Sequence, residues 1–141
     1  MNHSKRQLVG ITIWWAEGTK SRRDKRWKTA ASFPIEVTNT DPNVIQLFLL
    51  FLRHDIQIDE KKLRVQIQIH EGDNQIELEK FWSDITGVSK IYFHQTIVRP
   101  IGNKPGKTKG TCKVRFSDKA TYLQLEALWR DVVAGVAGSI A

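Results

Sequence analysis

The chain has 141 residues, 40% hydrophobic and 26% charged, with a net charge of +7 at pH 7 and one cysteine, Cys112. That length suits a single domain spanning 1–141, large enough for its own core and short for a two-part enzyme. A lone cysteine excludes disulfides and cysteine-based zinc sites, no apolar run approaches the ~20 residues of a membrane span, and MNHSKRQ has no signal-type apolar stretch. A cytoplasmic protein is the expectation.

Taken in order, the segment Leu8 to Lys20 reads as a helix ending at Glu17-Gly18, with Gly18 supplying a left-handed stop. Glu17 then faces the negative end of the helix dipole, which costs a few tenths of a kcal/mol or more; a bound cation would offset that. Thr12 and Ala16 are small and four apart, so they share one face and let another backbone approach, either the chain's own sheet or a second helix.

A basic loop, 19–28, follows, with Lys20, Arg22, Arg23, Lys25, Arg26 and Lys28 against the single acid Asp24. Trp27 to Thr38 reads as a strand: Phe33, Ile35 and Val37 alternate with polar residues, and Pro34 marks a bend or an edge. Asp41-Pro42 starts a helix running to about His54, with Val44, Leu47, Phe48, Phe51 and Leu52 as its apolar face.

Lys62 to His70 alternates cleanly. Leu63, Val65, Ile67 and Ile69 point to a core, while Arg64, Gln66, Gln68 and His70 point away. Arg suits guanine O6/N7 and Gln suits adenine N6/N7 in a major groove, so this face suits DNA; a merely solvated strand is the plainer reading. Asn74, with Glu77 three residues on, opens a helix with Ile76, Leu78, Phe81, Trp82 and Ile85 on its apolar face, stopped by Gly87. Trp82 belongs to the core on this reading.

Ile91 to Arg99 and Thr111 to Ser117 are expected to form a long hairpin, with Cys112, Val114 and Phe116 inward and Lys113 and Arg115 outward. Its link, 100–110, is rich in Pro, Gly and Lys, a mobile loop suited to a phosphate backbone. Asp118 caps a last helix through Tyr122, Leu125, Leu128, Trp129 and Val132, with a frayed tail over 135–141. The second basic set, with Lys107, Lys109, Lys113 and Arg115 in it, lies here, whereas acids gather between Asp55 and Asp84. One basic face toward a polyanion is implied. The glycine-rich stretch 102–110 lacks the strand–loop–helix setting of a P-loop, and the four histidines lack zinc-ligand spacing.

GITIWWAEG, Gly10 to Gly18, resembles the nine-residue helix of the LAGLIDADG homing endonuclease family: Thr12 and Ala16 fall at its small positions, Glu17 at its acid and Gly18 at its final glycine. Trp15 stands where the family has a further acid. The resemblance is closer to a bacterial single-motif subgroup whose helix reads roughly YWAEG-x-K and whose later segments are similar to Asn39-Thr40-Asp41-Pro42 and Phe81-Trp82-Ser83-Asp84-Ile85-Thr86-Gly87. It implies an α+β fold of αββαββα order, a mixed or antiparallel saddle sheet backed by helices. It further implies a homodimer whose helices meet at Leu8, Thr12 and Ala16, cleaving both strands of double-stranded DNA at specific sites. Mg²⁺, or another divalent cation, would be held by Glu17 and the Ala16 carbonyl, with no small-molecule cofactor. Lys20, Lys113 and Arg115 are the candidates to assist, Lys113 being set with Glu17 in the catalytic pair. DNA contacts would come from Lys28, Arg64, Gln66, Gln68, His70, Lys107, Lys109, Lys113 and Arg115. Relatives that keep the fold without cleavage, as transcription regulators or intron maturase-like proteins, define the alternative.

Overall fold

The computed structural model describes residues 2–18, 33–101 and 109–139. Their elements run α1 (Lys5–Glu17), β1 (Pro34–Asn39), α2 (Pro42–Phe51), β2 (Arg64–His70), α3 (Gln75–Thr86), β3 (Ile97–Arg99), β4 (Thr111–Ser117) and α4 (Lys119–Gly138). The class is α+β, a four-stranded mixed sheet with helices against it, in strand order β1-β4-β2-β3. Among the described residues α2 and α3 each separate two strands, so the αββαββα order is not what these elements spell.

α1 begins three residues before the expected start, because Ser4 and Gln7 form a capping box: the Gln7 N–H donates to Ser4 Oγ at 3.1 Å and the Ser4 N–H donates to Gln7 Oε1 at 2.8 Å. It ends at Gly18, but not by the left-handed route. Gly18 is extended, φ −85° and ψ 153°, and its N–H donates to the Trp14 carbonyl. Glycine is required there because a Cβ would overlap that same carbonyl. Gly18 then bridges Val37 in antiparallel sense, so α1 ends against the edge of β1.

α1 buries Ile11 and Trp14 completely, each worth roughly 1.5–3 kcal/mol of apolar transfer or more. Gly10 lets it close on α2, since a Cβ on Gly10 would overlap both Cβ and Cγ of Phe51. The start of α1 is tied at two further points. Arg6 Nε donates to Asp55 Oδ2 at 2.6 Å, and His3 Nε2 lies 2.9 Å from Asp131 on α4.

α2 opens as expected, with Asp41 accepting from the Asn43 N–H and Pro42 in the first turn. Its buried stripe is Ile45, Phe48, Leu49 and Phe51, continued by Leu52 in a π-helical turn, Leu52–Ile56. Leu47, expected inside, is 43% exposed, and so is Leu50 at 44%. At about 100° per residue Leu47 and Leu50 lie on the side of α2 opposite Ile45, Phe48 and Leu49. In α3, Asn74 caps as expected and Gly87 closes with φ +69°, but Ile76 sits in the first turn beyond the sheet and is 74% exposed. Trp82 is fully buried, as expected for a core residue, and its Nε1–H donates to the Lys109 carbonyl at 2.8 Å.

The expected hairpin of 91–99 with 111–117 does not form. β4 lies between β1 and β2, antiparallel to both, while β3 sits on the far edge, parallel to β2. β3 also shrinks to three residues. Lys90–Tyr92 is a 3₁₀ turn, Phe93 bridges Val65, and Ile97 then pairs with Gln68, so one extra residue bulges between the two contacts. Sequence neighbours made the hairpin attractive; the inward residues of β4 instead complete rows such as Val37–Val114–Val65 across three strands. Burial pushes the Cys112 thiol in that sheet up to about 12, leaving it an inert apolar side chain. α4 continues unbroken to Gly138, past the point where fraying was expected. No helix among the described residues is long and apolar enough to cross a membrane.

Two outcomes follow from these contacts. Gly10→Ala should cost about 1–3 kcal/mol by overpacking against the base of Phe51, whereas Gly135→Ala, a helical glycine whose Cβ would meet nothing within 4 Å, should gain about 0.4–1 kcal/mol; denaturant titration of both variants gives the signs. Asp118, N-cap of α4, accepts from the Thr121 hydroxyl at 2.6 Å, the Thr121 N–H at 2.9 Å and Lys62 Nζ at 3.2 Å. The Thr121 hydrogen bonds first, and Lys62 after them, hold its carboxyl down at about 2 from 3.8. A depressed folded-state value means the stabilisation is present above the unfolded value and lost as pH falls from about 4 toward 2. Melting curves should therefore show a gap between wild type and Asp118→Ala at pH 6 that narrows across that window.

Candidate nucleic-acid interface

The period-two alternation that buries one face of the sheet leaves the other half-exposed and polar. Strand register arranges that face in rows. Arg64, Arg115 and Glu36 form the first, Gln66, Lys113 and Thr38 the second, Gln68, Thr111 and Ile97 the third, and His70 with Arg99 the fourth. Arg64, Gln66, Gln68, His70, Lys113 and Arg115 are thus brought onto one surface. Arg99, Thr38 and Thr111 join them, which the sequence could not reveal without the register.

Those side chains are not equally available. Arg64 donates Nη1 to the carbonyls of Lys61 (2.7 Å) and Leu63 (3.0 Å), and its guanidinium carbon lies 4.9 Å from the Tyr92 ring centroid. Gln66 donates Nε2 to the Gln95 carbonyl at 2.9 Å, keeping its oxygen and one amide proton. Lys113 Nζ pairs with Glu36 Oε1 at 3.3 Å, with Glu36 only 14% exposed. Lys113 is therefore already partnered, and its partner is Glu36. The side chains of Gln68, His70, Thr111 and Arg115 have no hydrogen-bond or ion-pair partner among the described residues. Lys109 is not gathered with this set; its ammonium lies 5.7 Å from the Phe81 ring centroid on α3. Lys28, Lys107, Lys20 and the basic loop 19–28 lie outside the described residues.

Glu17 is exposed at the end of α1, one residue before the Gly18 bridge to Val37, and makes no ion pair with a described residue. No group of three or more His, Cys, Asp or Glu able to hold a metal ion occurs among the described residues. Its oxygens are hard donors, and Mg²⁺ commonly takes one or two carboxylates and completes its shell with phosphate oxygens and water. Glu17 and the Ala16 carbonyl are oxygen donors of the kind such a shared site uses.

Of the α1 row expected at an interface, Leu8 is half-buried against the chain's own core, whereas Thr12 and Ala16 are exposed. Thr12 lies in an apolar groove of about 370 Å³ that α4 lines with Trp129, Val132, Val133, Val136 and Ala137. Trp15 stacks on Trp129, ring centroids 5.2 Å apart and 13° from parallel.

These features define an α+β protein with an open, polar, partly basic sheet face and an uncovered helix face ending in a carboxylate. Comparison with protein-family models, with curated proteins and with solved structures found no match for the chain.

Proposed function

We propose that this chain binds double-stranded DNA through the outward face of β2 and β4, and that two copies form a Mg²⁺-dependent, site-specific endonuclease of the LAGLIDADG homing type. The observation that carries the reading is the outward face itself: two central antiparallel strands presenting Arg115, Gln66, Gln68, His70 and Thr111 from a rigid sheet. A two-stranded ribbon fits a major groove about 12 Å wide, and Arg and Gln are the residues that read purine edges there. The net charge of +7 supplies the long-range attraction.

Glu17 and the Ala16 carbonyl would hold the cation, and a divalent ion so placed polarises a phosphate and lowers the pKa of bound water. The chain's own contribution is to place that carboxylate: the extended Gly18 stops α1 at the β1 edge of the sheet, one strand from β4. A chain with one such carboxylate cuts one strand, so double-strand cleavage calls for a second copy. Exposed Thr12, with Val133 and Val136 in the same groove, and exposed Ala16 four residues on offer a face for it.

One observation favours the non-cleaving reading, a DNA-binding regulator or maturase-like protein on the same scaffold. Lys113, set with Glu17 as the catalytic pair, has its charge engaged by Glu36.

Glu17→Gln should abolish Mg²⁺-dependent nicking of a selected duplex while leaving affinity within about two-fold, and log affinity of both proteins should fall linearly with log salt. Retained nicking removes Glu17 from the site; wild type that binds without nicking establishes the regulator. Sedimentation at micromolar concentration should give twice the 16.2 kDa chain mass, and Thr12→Trp should return it to one.

A further inference from the structure

We infer that the duplex site this protein prefers has adenine·thymine pairs under the middle of the sheet face and guanine toward the Arg115 end. The inference rests on the DNA-binding reading above and deepens it to a base preference.

The middle of the face is electrically neutral. In the second row the only cation, Lys113, is paired with Glu36; the third row, Gln68, Thr111 and Ile97, has no charge at all. Arginine is the common reader of guanine, and neither row offers a free one. Gln68 does offer a carboxamide without a partner among the described residues, on the face opposite buried Ile67 and Ile69, and a carboxamide matches adenine N6 and N7 with one donor and one acceptor. Guanine presents two acceptors at that edge and cannot satisfy both ends of it.

Beside Gln68 the surface is hollow. Thr38, Gln66, Gln68, Ile97, Thr111 and Lys113 surround a pit of about 50 Å³. A hollow of that size admits a group as small as a methyl. The thymine 5-methyl is the one such group in the major groove, and Thr and apolar side chains are its partners. Ile97 is the residue that decides this, since an isoleucine on an otherwise polar face has no core to fill. It stands in register with Gln68, so the amide and the methyl seat address the same region.

Spacing orders the two preferences. Same-face residues along a strand lie about 6.6–6.8 Å apart, close to two base-pair steps of 3.4 Å. Arg115, without a partner among the described residues, is two rows from Thr111, which places its guanine about four base pairs from the central adenine. Arg64 in the same row is held by two carbonyls and Tyr92.

The test is selection of bound duplexes from a random pool, with wild type and with Gln68→Arg. The wild-type consensus is expected to centre on A·T pairs, with replacement of the central pair by G·C weakening binding about ten-fold or more. Gln68→Arg should convert the central adenine to guanine and leave the guanine four base pairs away. Ile97→Ser should relax the thymine preference, giving a second readout should the arginine variant fold poorly. A wild-type pool with central guanine, or with no central preference, overturns the inference while DNA binding stands; so does a consensus that neither variant alters. A pool that shows no enrichment at low salt overturns the DNA-binding reading itself, and the base preference with it.

Discussion

β4 is hydrogen-bonded along both edges, and its strict alternation governs both sides of the molecule. Cys112, Val114 and Phe116 complete the core rows; Thr111, Lys113 and Arg115 complete the outward rows. A slip of one residue would put the polar set into the core and the apolar set into water, so the register that folds the protein also composes its outer face. The anchors that set the register lie just outside the strand. Gly110, at φ +84°, passes close to β2, where a Cβ would stand 2.7 Å from the Gln68 carbonyl oxygen. Trp82 holds the Lys109 carbonyl one residue earlier, and Asp118 ends the strand by capping α4.

Much of this was legible because it is local. Period-two runs at 64–70 and 111–117, the Asp41-Pro42 start, the Asn74 cap and the Asp118 cap all declare themselves within a few residues, and each appears in the structure. What failed is what depends on distance. Nothing within 91–117 says that β2 will sit between its two strands, because pairing partners are chosen by how inward rows pack on helices. Gly18 reads as a left-handed stop by base habit, yet its need for glycine is steric, set by the Trp14 carbonyl it follows. The Ser4–Gln7 capping box was readable, and its pattern was there to be found.

The candidate site divides the same way. The outward set on β2 was visible as a pattern, but the engagement of Arg64 by Tyr92 and of Lys113 by Glu36 arises between elements far apart in sequence. Those two contacts change the chemistry of the face. A composition that looked uniformly basic becomes a neutral centre with charge at its ends, which is a pattern able to discriminate among sequences as well as attract them.

The proposed binding and the proposed cleavage make separate demands on this scaffold. The sheet face is complete within one chain, since its rows are built from β1, β4, β2 and β3 of a single copy. Glu17 is different: it stands exposed at a helix end where the dipole disfavours it, outside any group of three or more His, Cys, Asp or Glu able to hold a metal ion among the described residues. Among the described residues no cation pairs with that carboxylate, and a cation or donor brought to it would stabilise it. The proposed second copy and the duplex are the two sources consistent with the uncovered Thr12–Ala16 face and the polar sheet beside it. On the proposed reading, DNA binding would rest on features the fold already holds together, whereas cleavage would rest on assembly, so the two would be separable by physical design as well as by experiment.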